Sequence, residues 1–500
     1  MLYDAMIAPP PEMSAGYDVC ILGAGAAGVP LALKLADAGK RVVLLEGGGL
    51  ETENRSQDLY YGDAELGYPY SPLEACRLRQ LGGSTQHWGG RCAMLDPHDF
   101  EPRPDLGPEY DHRGWPIRID ALAPYAAPAC AVLGLAEFDA PRRAIPGTET
   151  MERVLYRWSG AEPFAGVIDA QPVRMRERYS ADLEAASHID LILNANALGF
   201  ALDPDQGRIL GVRFQSYDGP VRSVAAARYV LALGGIENSR FLLNENAKHQ
   251  NRLGNTSDMV GRCFGEHPHV RVGTYFVSKR PISWLPDVAE QVDTVLHRHK
   301  SEMIVGPTAA FMRANGVMNC GLRVQRLRNQ ALSEELAAAS PLTKGLIFGE
   351  DYHYTGFLMA ASEMAPDPNS RVRLIDEVDR FGLRRAGVDL KINPIEIKTK
   401  QLAAFEVAKM FIRTGIGRVW LEPWVLSGET PDLSFGNHHL GGCRMSETVE
   451  TGVVDADCRV HGLENLYVAG SGVFSTGGAA NPTFTVVQLA LRLADHLCAR

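Results

Sequence analysis

The sequence predicts an α/β fold, α+β overall, in which a domain with a parallel sheet is interleaved with a domain built on an antiparallel sheet covered by helices. Residues 17–46 read in the order strand, glycine turn, helix and strand, which is the pattern of a βαβ unit. Residues 269–436 change to alternating strands mixed with an amphipathic run at residues 401–416. Near the C-terminus, residues 483–497 carry an apolar stripe at helical spacing.

The length of 500 residues exceeds one ordinary hydrophobic core, so we expect two domains. We assign residues 15–95, 180–268 and 437–500 to a nucleotide-binding domain. Residues 96–179 and 269–436 are assigned to a substrate-binding domain and to segments that cover the cofactor. The chain would therefore leave the first domain and return to it.

The first βαβ unit carries a glycine fingerprint, Gly23-Ala-Gly25-Ala-Ala-Gly28, and its second strand ends at Glu46. Gly23 allows the tight turn, Gly25 lets the backbone approach a pyrophosphate at the helix N-terminus, and Gly28 allows close packing. Glu46 can accept hydrogen bonds from ribose hydroxyls and disfavours a 2′-phosphate. The unit predicts a Rossmann-like site for FAD or NAD; the alternative is a unit that stabilises the fold without a nucleotide.

Two C-terminal motifs place a histidine and an asparagine beside a helix start. Residues 437–445 read NHHLGGCRM, and residues 477–483 read GGAANPT. Asn481 is a good N-cap and Pro482 suits the first helical position, because proline has no N–H to lose there. The free N–H groups and positive dipole end of such a helix suit the negative charge of a reduced flavin.

These two ends of the chain together resemble the glucose-methanol-choline (GMC) oxidoreductases, a family of FAD enzymes that take hydride from alcohols. The resemblance extends through most of the length in a specific order of motifs: LGGSTQHWGG at 81–90, VLALGGIENS at 230–239, VGRCFGEHP at 260–268, PNSRV at 368–372, and the block at 454–471. It implies FAD as the cofactor, and it is nearest to the branch that oxidises sugars and glycosides. It also places further residues at the flavin, namely Gly83, Ser84, His87, Ala197, Gly470, Ser471, Pro482 and Thr483.

Oxidation of a carbinol moves a hydride from carbon to flavin N5 and a proton from oxygen to a base, and a neutral imidazole can accept that proton. The resemblance assigns this role to His438, the leading histidine of its motif. The adjacent His439 is the alternative base, because successive residues of an extended segment point in different directions and only one can face the flavin.

Asn481 is expected to bind the substrate hydroxyl oxygen, and its alternative role is that of a helix cap only. The resemblance to pyranose oxidases raises covalent attachment of the flavin to His87, since Ser84-Thr85-Gln86-His87-Trp88 resembles their Ser-Thr-His-Trp segment with one extra residue. The alternative is a loop histidine that hydrogen-bonds beside the flavin ring.

The composition fits a large enzyme with a small-molecule substrate. A net charge of −10 argues against nucleic acid or an anionic membrane surface as a partner. No segment approaches the roughly eighteen apolar residues of a membrane span. The N-terminal residues lack a basic region and an apolar stretch of signal length, so we expect cytoplasmic localisation. The nine cysteines form no zinc or haem pattern, and no metal site is expected.

Three readings of the function remain open at this point. The first is an FAD-dependent alcohol dehydrogenase or oxidase acting on a sugar, glycoside or polyol. The second is the same chemistry on a non-sugar alcohol, such as an aryl alcohol or a secondary-metabolite intermediate. The third is a lyase or binding protein with a structural flavin. Oxygen, a quinone or a redox protein could each reoxidise the flavin, and the sequence does not indicate an oligomeric state.

Overall fold

The computed structural model describes residues 1–7, 16–110, 113–160, 172–203, 207–278, 304–326, 352–415 and 417–499. Its strands, in chain order, are β1 (Leu2–Asp4), β2 (Tyr17–Leu22), β3 (Val42–Leu45), β4 (Arg91–Ala93), β5 (Arg142–Ala144), β6 (Met151–Val154), β7 (Tyr156–Trp158), β8 (Ile189–Leu193), β9 (Asn196–Leu202), β10 (Ile209–Gln215), β11 (Arg222–Val224), β12 (Ala226–Leu231), β13 (Pro268–Ser278), β14 (Ile304–Pro307), β15 (Cys320–Arg326), β16 (Tyr352–Ser362), β17 (Arg371–Val378), β18 (Arg384–Asp389), β19 (Gly417–Leu421), β20 (Ser434–Phe435) and β21 (Leu466–Val468).

The α-helices of the described residues, in chain order, are α1 (Gly28–Asp37), α2 (Asn54–Gln57), α3 (Pro97–Phe100), α4 (Ala126–Leu133), α5 (Met175–Ala185), α6 (Gly235–Lys248), α7 (Ala309–Asn315), α8 (Pro394–Arg413), α9 (Pro423–Ser427) and α10 (Thr483–Cys498). Within those residues, no helix combines the length and the apolar character that crossing a membrane requires.

A parallel six-stranded sheet in the order β1-β8-β3-β2-β12-β21 forms the first domain. Strands β2 and β3 are almost completely buried and rich in Val, Ile and Leu, as expected of parallel strands covered on both faces. The chain leaves the C-terminal end of β2 through the glycine turn and enters α1, which packs against α10. The predicted Rossmann-like domain is thereby confirmed.

An antiparallel sheet in the order β19-β13-β16-β15-β14-β6-β5, with β20 also paired to β13, forms the second domain. Helix α8 contacts β13, β14, β15, β16 and β19 and covers one face of this sheet. Its buried residues Ala403, Val407, Met410 and Phe411 share a core with Val272 and Leu358. The expectation of an antiparallel sheet covered by helices is therefore confirmed.

Three segments lie differently from the sequence-based domain boundaries. Strand β1 adds an edge strand to the parallel sheet, although we began that domain at residue 15. Helix α4, which we placed in the second domain, packs against α10 and joins the core of the first domain. The β17–β18 hairpin likewise packs on α6. In each case the domain that the segment joins depends on packing against residues distant in sequence, which the local sequence pattern does not reveal.

The last helix begins later than predicted. Its N-cap position is Pro482 and its first residue is Thr483, and no side chain caps it. The assignments of Asn481 as the N-cap and Pro482 as the first helical residue are therefore wrong by one position. Pro482 already has helical backbone angles of φ −74° and ψ −21°, and its carbonyl accepts from the Val486 N–H at 2.9 Å. The fixed φ of proline suits this conformation.

Two glycines of the fingerprint have opposite surroundings. A Cβ on Gly28 would lie 1.9 Å from the Gly23 carbonyl oxygen, whereas a Cβ on Gly25 would meet no atom within 4 Å. We therefore expect Gly28→Ala to lower the free energy of unfolding by roughly 1–3 kcal/mol or more, the usual penalty for overpacking. Gly25→Ala should remain close to wild type. Urea unfolding of the cofactor-free protein measures the free energy of unfolding of both variants. An equal loss in the two would contradict the close packing at Gly28 and the open space at Gly25.

Candidate active site

A cavity of about 470 Å³ lies between the glycine turn of the first domain and the antiparallel sheet of the second. Ten of the predicted cofactor residues form part of its wall: Gly23, Gly25, Glu46, Gly83, Ser84, His87, Gly470, Ser471, Pro482 and Thr483. Both predicted catalytic residues, His438 and Asn481, line the same cavity. The structure thus brings residues from both ends of the sequence to one site.

Two predicted cofactor residues lie outside that wall. Gly28 packs closely against Gly23, as its tight spacing requires, and its role is structural. Ala197 lines a smaller cavity of about 30 Å³, which shares Arg79 and Glu237 with the larger one. Neither residue therefore lines the main cavity.

Glu46 is buried at the end of β3 and supports the glycine turn. Its carboxylate accepts from the Ala24 N–H at 2.9 Å and from the Gly48 N–H at 2.8 Å. Burial raises the pKa of Glu46, and these backbone donors and Arg79 act in the opposite direction. A carboxylate that accepts one backbone hydrogen bond on each oxygen keeps lone pairs for hydroxyl donors in the cavity.

A buried ion-pair network next to the glycine turn was not anticipated from the sequence. Arg77 donates to Glu237 at 3.2 Å, and Arg240 donates to the other oxygen of Glu237 at 2.6 Å. The nearby arginines lower the pKa of Glu237 against its burial, so the carboxylate is ionised. Arg77 and Glu237 both line the cavity. The Arg77-Leu-Arg79 spacing was the available signal, because buried arginines need acidic partners.

His438 makes a hydrogen bond to a second histidine. Its Nδ1 lies 2.8 Å from Nδ1 of His267, and Nε2 of His267 lies 2.8 Å from the carbonyl oxygen of Gly478. The two rings meet edge to face, with centroids 5.0 Å apart. Burial is the largest cause that lowers the pKa of His438 well below its usual value, and His267, His269 and His439 add to it. His438 is therefore a neutral imidazole at neutral pH.

Glu266 holds the backbone around both of these histidines. One of its oxygens accepts from the N–H of His267 at 2.8 Å and from the N–H of Gly436 at 3.0 Å. Its other oxygen accepts from the N–H of His438 and from the hydroxyl of Tyr70. Burial raises the pKa of Glu266 to about 8, and the donors lower it. Sequence reasoning missed this role of Glu266, because its partners Gly436 and His438 are distant in sequence.

His439 points away from His438. Its ring stacks on Phe264 at a centroid distance of 6.2 Å and meets the edge of Tyr70 at 6.0 Å. Burial is the largest cause that lowers its pKa to about 3. Its Nε2 is buried and has no hydrogen-bond partner among the described residues. His439 lines the large cavity but does not line the smaller pocket that His438 shares with Asn481.

Asn481 faces this pocket from the loop before α10. It lines both the large cavity and the adjoining pocket of about 30 Å³, together with His438. No hydrogen bond of its side chain is found within the described part of the chain, and it does not cap α10. The amide is therefore available to a ligand as both donor and acceptor.

The face of the antiparallel sheet that is opposite α8 closes the pocket. His269, Gly321 and Arg323 line it from β13 and β15. Their register explains the shared face, because His269 and Gly321 both pair with Ala361 of β16. The absence of side-chain bulk at Gly321 and Ala361 leaves space beside His438. Sequence reasoning missed these lining residues, because alternation predicts a strand but not the face that meets the cavity.

His87 follows a short 3₁₀ turn at Gly83–Gln86 and is an exposed residue of the cavity wall. Burial and then Arg174 lower its pKa, so the imidazole is neutral. Trp88 beside it donates its indole N–H to the Val173 carbonyl at 2.9 Å. The loop thus presents His87 to the site, as either the covalent or the hydrogen-bonded alternative requires.

The cavity fits a flavin dinucleotide in three respects. The open space at Gly25 leaves room for a pyrophosphate beside the N-terminus of α1. Glu46 supplies acceptors for ribose hydroxyls. The unpartnered Nε2 of His439 supplies a buried polar atom that calls for a partner. The described residues contain no group of three or more His, Cys, Asp or Glu side chains arranged to hold a metal ion.

Comparison with known proteins gives the same picture. Residues 366–490 match the family model described as GMC oxidoreductase. The chain is 24% identical to the fructose dehydrogenase large subunit of Gluconobacter japonicus, over 96% of this chain and 97% of that protein. It is 23% identical to 6'''-hydroxyparomomycin C oxidase of Streptomyces lividus, over 97% and 92%.

The fold is similar to that of pyridoxine 4-oxidase from Mesorbium loti, with a TM-score of 0.58 at 16% identity over 96% of this chain and 99% of that chain. It is also similar to formate oxidase, with a TM-score of 0.54 over 97% and 98%. The resemblance inferred from the motifs is confirmed: the C-terminal quarter of the chain matches the model of the glucose-methanol-choline oxidoreductases, and the relatives that match nearly the whole chain are named as oxidases and dehydrogenases.

Proposed function

We propose that this protein uses FAD to oxidise a CH–OH group of a sugar, glycoside or polyol to a carbonyl, with His438 as the base and Asn481 as the ligand of the substrate oxygen. The observation that carries the proposal is the shared pocket. A neutral imidazole and an amide that has no hydrogen-bond partner among the described residues line one small pocket, which adjoins the larger cavity.

The residues that would hold FAD follow from the cavity wall. The Gly23–Ala27 turn and the N-terminus of α1 suit the pyrophosphate, and Glu46 suits a ribose. Gly83, Ser84, His87, Gly470, Ser471, Pro482 and Thr483 line the remaining part toward His438. Once bound, FAD supplies the acceptor for the hydride that leaves the carbinol carbon.

The protein's own part in the reaction concerns the proton and the oxygen. Neutral His438 accepts the hydroxyl proton, and the resulting imidazolium lies beside the carbonyl oxygen of the product. Asn481 can donate its amide N–H to the same oxygen as charge develops there. The antiparallel sheet lines the pocket in which this step would occur, through His269, Gly321 and Arg323.

The substrate class rests on the relatives. The names of two relatives that match nearly the whole chain refer to fructose and to a hydroxyparomomycin. A relative named 2-methyl-1,2-propanediol dehydrogenase and the solved pyridoxine 4-oxidase make non-sugar alcohols the alternative. The names include both dehydrogenases and oxidases, so oxygen, a quinone or a redox protein stays open as the acceptor. We also propose a cytoplasmic location.

The proposed function is tested by anaerobic mixing of the purified yellow protein with sugars, glycosides, polyols and aryl alcohols while the flavin absorbance is followed. Bleaching by a sugar or glycoside supports the proposal, and bleaching only by an aryl alcohol selects the alternative substrate class. If no alcohol bleaches a bound flavin, a structural flavin becomes the better account.

Gly25→Ala provides the test of the cofactor site. The added methyl group would occupy space that the protein leaves open, so the variant should fold but contain less FAD than wild type. Denaturation followed by filtration measures the flavin in both fractions. Full FAD content in Gly25→Ala would place the pyrophosphate elsewhere.

The same measurement on the wild-type protein tests covalent attachment. Colour that stays with the protein would support attachment to His87, and His87→Ala should then release it.

The histidine pair offers a matched comparison for the base. His438→Ala should slow flavin reduction by roughly a hundredfold to ten-thousandfold, the usual worth of general-base catalysis, without loss of FAD. His439→Ala should slow the same step much less, because its ring lies between Phe264 and Tyr70. Rapid-mixing measurements give both rates, and the opposite ranking would assign the base to His439.

Asn481→Asp separates substrate binding from helix stability. Because no side chain caps α10, and an acidic group is favourable near a helix N-terminus, the unfolding temperature and FAD content should stay near wild type. Loss of the amide donor and repulsion of the developing charge should slow reduction by a factor on the order of a hundred. A well-folded variant with a normal reduction rate would remove Asn481 from the reaction.

A further inference from the structure

A second histidine, His267, contacts His438 and lines the same small pocket. His267 is buried, and its two ring nitrogens are both engaged: Nδ1 with Nδ1 of His438 at 2.8 Å, and Nε2 with the Gly478 carbonyl oxygen at 2.8 Å. A carbonyl oxygen can only accept a hydrogen bond, so Nε2 of His267 must carry a proton.

This single constraint fixes the protons of both rings. A neutral imidazole has one N–H, so Nδ1 of His267 is an acceptor when Nε2 is the donor. The hydrogen bond between the histidines then requires a proton on Nδ1 of His438. Neutral His438 consequently has its lone pair on Nε2, the nitrogen that His267 does not occupy. Burial, the largest cause, lowers the pKa of His267 to about 4, which keeps it neutral.

The Gly478 carbonyl, which begins this series of hydrogen bonds, belongs to a loop held by buried carboxyl groups. The N–H groups of Gly477 and Gly478 donate to one oxygen of buried Glu363 at 3.2 and 3.1 Å. A Cβ on Gly478 would lie 2.3 Å from an oxygen of Asp99, so the peptide fits closely between two carboxyl groups. The backbone of His267 is fixed independently by Glu266. Both ends of the His267 ring are therefore anchored before any ligand binds.

We propose that His267 is a positioning residue that holds His438 in the tautomer with Nδ1 protonated and Nε2 free to accept the substrate proton. Its consequence for the reaction rests on the proposed function, whereas the tautomer itself is a property of the resting protein. After proton transfer, the Nδ1–H of His438 still donates to His267, so the same contact supports the imidazolium.

Two conservative substitutions separate this role from simple packing. In His267→Asn the amide oxygen can occupy the position of Nδ1 and accept from His438, while the bond to Gly478 is weakened. In His267→Gln the amide N–H can reach the position of Nε2 and donate to Gly478, but a methylene group faces His438. His267→Asn therefore keeps the hydrogen bond to His438 that sets the tautomer. His267→Gln keeps the hydrogen bond to the Gly478 carbonyl.

The tautomer is read directly by ¹⁵N NMR of histidine-labelled, FAD-loaded protein, in which His438→Ala identifies the His438 signals. Wild type and His267→Asn should show a protonated Nδ1 and an unprotonated Nε2 on His438. His267→Gln should show a mixture of tautomers. An Nε2-protonated His438 in wild type, or the same spectrum in both variants, would overturn the proposal whether or not any alcohol reduces the flavin.

A second experiment measures the rate of flavin reduction in the same variants, with an alcohol that reduces the wild-type flavin. At saturating alcohol, His267→Gln should lower the limiting rate of flavin reduction by roughly tenfold, about the worth of one hydrogen bond, with little change in the apparent dissociation constant. His267→Asn should restore most of that rate. If His267→Gln were the faster of the two, the loop contact rather than the tautomer would be the function of His267.

Discussion

The acceptor oxygens of one buried side chain, that of Glu266, are the constraint on which the site depends. They join two stretches of chain that are far apart in sequence: the end of the second nucleotide-domain segment, at His267, and the point where the chain returns from the second domain, at Gly436 and His438. Each backbone N–H bound in this way is at least partly buried and needs a partner. Glu266 therefore fixes the crossover between the domains and the position of His438 together.

Around that crossover, each domain supplies one wall of the cavity. The parallel sheet ends at a tight glycine turn, where the helix N-terminus and Glu46 favour a dinucleotide. The antiparallel sheet supplies a face with little bulk at Gly321 and Ala361, which leaves room above His438. Beside the cavity, the buried charges of Arg77, Glu237 and Arg240 form one network, because an unpaired charge at such a depth would be costly.

Much of the architecture was predictable, because it depends on local chemistry. The spacing of Gly23, Gly25 and Gly28 has a separate steric reason at each position, and the structure shows these reasons in the contacts a Cβ would make. The apolar stripe before the C-terminus likewise predicted α10, although not its first residue, since Asn481 resembles a cap but does not act as one. The edge strand β1 and the docking of α4 were missed because they depend on distant partners.

The sequence by itself determined the nucleotide-binding unit, the two domain types and the chemical nature of the candidate base, since these follow from residue type and short-range spacing. It named His438 as the expected base and left His439 as the alternative, because neighbouring residues share the same motif and differ only in direction. Tertiary structure gives the two rings different surroundings, with His438 against His267 and beside Asn481, and His439 between Phe264 and Tyr70. Orientation, and with it the tautomer of an imidazole, is set by partners that only the folded chain brings within hydrogen-bond distance.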